Sequence, residues 1–289
     1  MLVSGSTKVF ALFGDPVMHS FSPLMHNTAF KRLKLDSLYV PLLVRRDSLA
    51  EAVDAVRALN LGGVNITIPH KEKILSYLDE VDEEAREIGA VNTVVNRDGY
   101  LCGYNTDASG FLASLNSVSF DPKGKKVVIM GAGGAARAAA VALVFQGVSR
   151  IHICDIDTKR GEILAQDLSR AGAGTAVGVS DYGASFSKAL KNADLLVDAT
   201  PVGMYPNHKE NPILMRDQLH PGLLVCDLVY NPPRTRLLEE AAATGCGVLN
   251  GVGMLVHQGA LAFQLWTGRK APVDSMQRAV LDALKDENR

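Results

Sequence analysis

The chain has 289 residues, 47% hydrophobic and 21% charged, enough for two ordinary domains with their own cores. A net charge of −1 offers no basic field to nucleic acid or an anionic membrane, and the apolar runs are too short to span a bilayer. Four scattered cysteines, seven unclustered histidines and an N-terminus without a basic-then-apolar leader predict a cytoplasmic protein with free thiols and no metal.

In chain order, strand-like runs come first at 8–14 (KVFALFG), 38–44 (LYVPLLV), 63–68 (GVNITI) and 90–96 (AVNTVVN). Helix-period segments lie between them, most clearly at 23–34 and 47–59. Leu49, Val53, Val56 and Leu59 recur on one face of the second. Arg97-Asp98-Gly99 predicts a tight turn into YLCGY. Alternation of this kind implies a sheet covered by helices. A second α/β series opens at Lys123, with strands expected at 125–130, 150–155, 193–200, 223–230 and 247–252. Helices are expected at 158–171 and 234–244, then at about 254–267 and 273–286 with no strand after them.

The second series begins with VVIMGAGGAARAAAVAL, an apolar strand, a glycine turn and an Ala-rich helix. Gly131, Gly133 and Ala136 match G-x-G-x-x-G/A in the strand–turn–helix setting that the motif needs. Gly131 permits the tight turn, Gly133 admits a pyrophosphate, and Ala136 lets the helix sit close to the sheet. The segment Gly131, Ala132, Gly133, Gly134 and Ala135 is therefore a candidate dinucleotide cradle at a helix N-terminus. Asp155 ends the next strand, 24 residues after Gly131, where an acid accepts ribose hydroxyls and repels a 2′-phosphate. Asp155 and Asp157 predict NAD as the coenzyme; Lys159 and Arg160 lean toward NADP, which is the less favoured expectation. The fold class is thus α/β in two domains. An N-terminal α/β domain spans 1–107, a Rossmann-type doubly wound parallel sheet 108–252, and C-terminal helices at 253–289 pack back toward the first.

In the first domain, polar patches stand at expected strand ends: HSFSP (19–23), NITIPHK (65–71), AVNT (90–93) and GYNTD (103–107). Ligands of α/β sheets bind at the carboxyl ends of strands, so these patches converge on one expected pocket. Serines, Asn amides, a Lys and an Asp suit a small polyhydroxylated acid and suit a greasy ligand badly. Lys71 stands out, because a cation where a helix is expected to begin faces the positive end of its dipole.

Taken together, HSFSP, NITIPHK, GAVNT, GYNTD, GAGGAAR, ATPVGM, YNP and GMLVHQGALAF, in that order over essentially the whole chain, resemble the shikimate dehydrogenase family, including the quinate/shikimate dehydrogenases. The resemblance implies hydride transfer at C3 of shikimate, with quinate as a further substrate. It implies Lys71 and Asp107 as catalytic partners, and Ser20 and Ser22 on the substrate carboxylate with Tyr230 nearby. Asn65, Thr67, Asn92 and Gln258 would hold ring hydroxyls or frame the pocket. Thr200, Val202, Met204 and Gly251 would join Arg160 and the glycine turn at the cofactor. The active site would lie in a cleft between the domains. One departure is at the second cofactor strand, where NADP-using members read Asn-Arg-Thr and this chain reads Asp155-Ile156-Asp157.

Blander readings stand beside these. Lys71 and Asp107 could form a structural salt bridge, Ser22 a helix N-cap, Asn92 a turn, Met204 plain core, and Tyr230 and Gln258 packing between domains. The methyl of Thr67 is expected to narrow the pocket and favour the flatter shikimate ring over quinate. Competing functions are an NADP-dependent biosynthetic shikimate dehydrogenase, a non-catalytic metabolite or dinucleotide sensor, and a dehydrogenase of an amino-shikimate. A homodimer is left open.

Overall fold

A computed structural model describes residues 3–171 and 174–287. The chain divides into two compact units: one holds the residues up to Gly110 with Leu255–Asp286, the other Phe111–Met254.

The first unit is built on β1 (Lys8–Gly14), α1 (Ser22–Arg32), β2 (Ser37–Leu43), α2 (Leu49–Ala58), β3 (Gly63–Ile66), β4 (Glu80–Val81), α3 (Glu83–Ile88), β5 (Thr93–Arg97) and β6 (Tyr100–Tyr104). The strands lie in the order β2-β1-β3-β5-β6-β4. β1 is parallel to β2 and β3, whereas β5 runs antiparallel to β3 and β6, so the sheet is mixed. β1 and β3 are buried along almost their whole length, as central strands covered on both faces are. Asp98 and Gly99 join β5 to β6 with φ of 53° and 92°, the two positive values that a two-residue type I′ hairpin requires. In α2 the stripe Leu49, Val53 and Val56 is buried, but Leu59 is 70% exposed. The helix stops at Ala58, so Leu59 leaves the helical face on which the period had placed it.

The second unit carries α4 (Asp107–Ser117) into β7 (Lys126–Met130), then α5 (Gly134–Phe145), β8 (Arg150–Cys154), α6 (Thr158–Ala171), β9 (Ala176–Ser180) and α7 (Ala184–Leu190). β10 (Leu195–Asp198), β11 (Leu224–Asp227), α8 (Arg236–Ala243) and β12 (Gly247–Leu249) complete it. Strand order is β12-β11-β10-β7-β8-β9 and every pair is parallel. The order reverses between β7 and β10, the doubly wound pattern whose reversal point binds dinucleotides. Ala136, Ala138, Ala139 and Ala140 of α5 are buried, since only small side chains let the helix lie this close to the sheet.

The chain passes between the units inside α4 and again inside α9 (Val252–Thr267); α10 (Val273–Glu287) follows. Late α9 belongs to the first unit: Trp266 Nε1 donates to Val94 O at 3.0 Å. A side chain at Gly63 would collide with that indole.

Four elements escaped the periodicity. β4 has two residues and no period to read, and β9 is a half-buried edge strand interrupted by Gly178. α7 is a seven-residue helix. α3 is short as well, yet its signals were present: Asp82 accepts from Glu84 N at the start, and Gly89 takes φ 70° at the end. Among the described residues no helix is long and apolar enough to cross a membrane, and no group of three or more His, Cys, Asp or Glu could hold a metal ion. All four cysteines are free and buried.

Candidate functional site

Because β5 is the one reversed strand among β1, β3, β5 and β6, its beginning lies at the edge where the other three end. The segments after β3 and β6 and the residue before β5 supply Lys71, Asp107 and Asn92. Lys71 Nζ donates to Asp107 Oδ2 at 2.6 Å, with the side chains 15% and 7% exposed. Asn92 Nδ2 donates to Asp107 Oδ1 at 2.9 Å and lies 3.4 Å from Gln258 Oε1 on α9. Both carboxylate oxygens of Asp107 are therefore hydrogen-bonded, which offsets the desolvation of a nearly buried ion pair. Asn105 Oδ1 accepts from Asp107 N at 3.0 Å and anchors the carboxylate's own backbone at the start of α4.

Lys71 is not at an α-helix N-terminus. It lies in a turn before a five-residue 3₁₀ segment, Lys73–Tyr77. The run is too short to build a macrodipole, so the charge nearest the ammonium is Asp107. Lys71 O accepts from Val91 N at 2.8 Å, tying this turn to the Asn92 segment.

The other candidates of this unit divide. Ser22 is the first residue of α1, not its cap; the position before it is Phe21, and Ser20 Oγ accepts from Ser22 N at 3.2 Å. The methyl of Thr67 packs on Gly14, where a side chain would collide with it. A methyl seated against the strand end no longer supports the expected narrowing of the pocket. Asn65 is committed to the protein. Its Nδ2 donates to Asn92 O at 3.1 Å and Thr93 Oγ1 at 3.0 Å, while its Oδ1 accepts from the Tyr39 hydroxyl at 2.8 Å. Thr93 and Thr106 lay inside the polar patches AVNT and GYNTD but were given no role of their own, and Tyr39 had no sequence signal separating it from core; all three bond into this network. Tyr230 falls in the second unit.

In the second unit, Gly131 follows β7 with φ 93°, a conformation that side chains rarely adopt, and its N–H meets Cys154 O at 2.7 Å. Gly133 caps α5 with no side-chain bond, leaving the first N–H groups of Gly134 and Ala135 to an anion. A Cβ on Gly133 would meet only the Arg160 guanidinium, at 3.7 Å. An open glycine cradle beside a guanidinium fits a dinucleotide phosphate. Asp155 is buried at the end of β8, its Oδ1 accepting from Asp157 N at 2.9 Å, and Ile156 beside it is 88% exposed. Thr200 Oγ1 accepts from Val202 N at 3.3 Å. Met204 is 39% exposed and so is not plain core. At Gly251 a side chain would overlap the Leu228 carbonyl, which explains the glycine by packing alone.

Sequence reasoning also passed over Asp198 and Asp227, register partners at the ends of β10 and β11. Burial, then the facing carboxylate, pushes Asp198 up to about 7; burial pushes Asp227 up to about 6. Thr200 N donates to Asp198 at 2.9 Å, and the Thr235 hydroxyl to Asp227 at 2.5 Å. A folded-state value above the unfolded one means stability is lost as pH rises from about 4 through about 7. Asp198→Asn keeps an acceptor for Thr200 N and removes that loss. Its melting temperature is expected to match the parent at pH 4 and exceed it at pH 8 by roughly 2–4 °C, the effect of ~1 kcal/mol in a domain of this size. An equal difference at both pH values in thermal melts would refute the shared burden of charge.

The profile of the shikimate dehydrogenase substrate binding domain matches residues 12–94, and that of the Shikimate 5′-dehydrogenase C-terminal domain matches 251–281. The shikimate dehydrogenase (NADP(+)) of Methanopyrus kandleri is 50% identical over 284 residues, 98% of each chain. The chain belongs to the shikimate dehydrogenase family. A crystal structure of a shikimate dehydrogenase in complex with NADP+ is similar at TM-score 0.92 and 41% identity, covering 98% of both chains. The quinate dehydrogenase from Corynebacterium glutamicum in complex with NAD reaches TM-score 0.88 at 36% identity, over 96% of this chain and 99% of that one. Family and α/β fold class agree with the sequence expectation, and a pyridine nucleotide is the family's coenzyme. The expected preference for NAD finds less support: the NADP(+) name and the NADP+ complex favour NADP.

Proposed function

We propose that the chain interconverts shikimate and 3-dehydroshikimate, with Lys71 and Asp107 handling the proton of the C3 hydroxyl. The observation that carries this reading is the 2.6 Å contact between Lys71 Nζ and Asp107 Oδ2, held on its far side by Asn92. When bound, the nicotinamide supplies the hydride exchange. Removing a hydride from a secondary alcohol leaves a ketone only if a base takes the hydroxyl proton, and reduction needs an acid to return it. A lysine and a carboxylate joined by a hydrogen bond can do both, passing the proton within the pair. Ser20 and Ser22, beside the start of α1, are suited to the carboxylate, and Asn92 and Gln258 to ring hydroxyls. Their joint presence with Lys71 and Asp107 stands against a non-catalytic sensor. Quinate carries the same carboxylate and ring hydroxyls, and the relative named quinate dehydrogenase supports it as a further substrate.

On the coenzyme, two lines of support point apart. The relatives' names favour NADP, and Arg160 beside Gly133 is the residue in this chain suited to a phosphate. Asp155 supports NAD as a second reading, because a carboxylate there repels a 2′-phosphate. Initial rates for shikimate and quinate against NAD and NADP test the whole reading; no turnover of shikimate with either nucleotide would end it. Replacing Asp155 by Asn and Ile156 by Arg removes the repulsion and adds a phosphate partner. The ratio of kcat/KM is then expected to move at least about tenfold toward NADP, the ~1.4 kcal/mol of one charge-assisted hydrogen bond. An unchanged ratio would take specificity away from this strand end.

A further inference from the structure

Tyr39 sits in the middle of β2, 1% exposed, with its ring stacked on His26 at 4.5 Å and 6.0 Å from Trp266. Packing alone does not account for it. A phenylalanine would fill the same space, and a buried hydroxyl is unfavourable unless it is hydrogen-bonded. Here the hydroxyl donates to Asn65 Oδ1 at 2.8 Å. Asn65 in turn bonds to Asn92 O and Thr93 Oγ1, so the phenol is tied to the network around Asp107.

We propose that Tyr39 is a positioning residue whose hydroxyl, through Asn65, Thr93 and Asn92, sets the orientation of the Asp107 carboxylate. The proposal rests on the proposed dehydrogenase function and adds a residue to it. The path consists of short hydrogen bonds throughout. With its oxygen held by Tyr39, the Asn65 amide can only present its NH₂ to Asn92 O and Thr93 Oγ1. Thr93 Oγ1 then donates to Asn92 Oδ1 at 3.0 Å, where Thr106 N also donates at 2.8 Å. Two donors on that oxygen fix the Asn92 amide in turn, and its NH₂ reaches Asp107 Oδ1 at 2.9 Å. Every amide in the path is therefore locked against a flip by the partner before it. Burial raises the phenol well above its usual range, so it stays a donor wherever the enzyme works.

His26 supplies rigidity without chemistry. Burial holds it down at about 3, and neither ring nitrogen has a hydrogen-bond partner among the described residues, so it is a neutral plate against which the phenol lies.

The test is Tyr39→Phe, which keeps the ring and its stacking, compared with Asn92→Ala and the double variant. With shikimate as substrate, kcat is expected to fall about tenfold, within the range that misplacing a reactive group produces. The KM for the nicotinamide nucleotide should stay within about twofold. In the Asn92→Ala background the same change should have almost no further effect, since the path is already cut. Independent, multiplying effects, or an unchanged kcat, would overturn the proposal while leaving the dehydrogenase reading intact. A second measurement needs no turnover: the side-chain NH₂ signal of Asn92 in ¹⁵N spectra, assigned by its loss in Asn92→Ala, is expected to shift in Tyr39→Phe. An unmoved signal in a folded variant would also overturn it. If the parent protein fails to oxidise shikimate, the dehydrogenase reading falls, and the Asn92 signal alone decides whether Tyr39 orients this network.

Discussion

Lys71→Ala is expected to lower kcat for shikimate oxidation by roughly a hundredfold or more, the usual scale for losing a positioned acid or base. Binding of the nicotinamide nucleotide should be nearly unchanged, because the glycine turn belongs to the other unit. The substitution also removes one partner of an ion pair that is almost buried, so stability must be measured alongside. Asp107 retains the Asn92 amide on its other oxygen, which limits that loss. Lys71→Arg separates the two roles. It preserves the positive charge beside Asp107 but not a group able to give up its proton, since a guanidinium stays charged at any working pH. A structural salt bridge would tolerate it; proton transfer would not. If either variant, purified and folded, turned shikimate over at close to the parental kcat, Lys71 would be left with the salt bridge alone.

A second large effect is expected at Gly251, where packing and cofactor binding give opposite readouts. A methyl there would overlap the carbonyl of Leu228, while Gly251 N is bonded to Val229 O at 3.0 Å and holds the backbone in place. Backbone against backbone cannot yield as a flexible side chain would, so Gly251→Ala is expected to destabilise the second unit by about 3 kcal/mol, the upper range for overpacking. In urea that lowers the unfolding midpoint by about 1–2 M at ordinary slopes. The fraction that remains folded should keep a normal KM for the nucleotide. The reverse pattern, an unchanged midpoint with a raised nucleotide KM, would return Gly251 to the cofactor site.

The two units differ in how openly their chemistry was written. The dinucleotide turn could be read from Gly131 to Ala136 because each small residue answers a local demand: a positive φ, a cap without a side chain, a close helix. Helices with strong periods, such as α2 and α6, were placed to within a few residues for the same reason. Short elements were not, since two residues of β4 or a Gly-interrupted edge strand like β9 have no period to detect. Lys71, Asp107 and Asn92 were found as motifs, but the motifs were silent on their environment. The helix expected after Pro69 proved to be a 3₁₀ turn, so Lys71 faces no α-helix N-terminus.

By itself the sequence determined the α/β class, the glycine turn, the family and the residues that could do chemistry, because these depend on neighbours along the chain. Strand order alone decided who meets whom across it. The reversal of β5 brings Asn92 to the edge where Asp107 begins α4, the parallel register of β10 and β11 sets two carboxylates face to face, and the pairing of β2 with β1 places Tyr39 within reach of Asn65. Long-range contacts of that kind, such as Asn92 with Gln258, 166 positions away, are encoded by no local period or propensity. Only folding assigns them a partner.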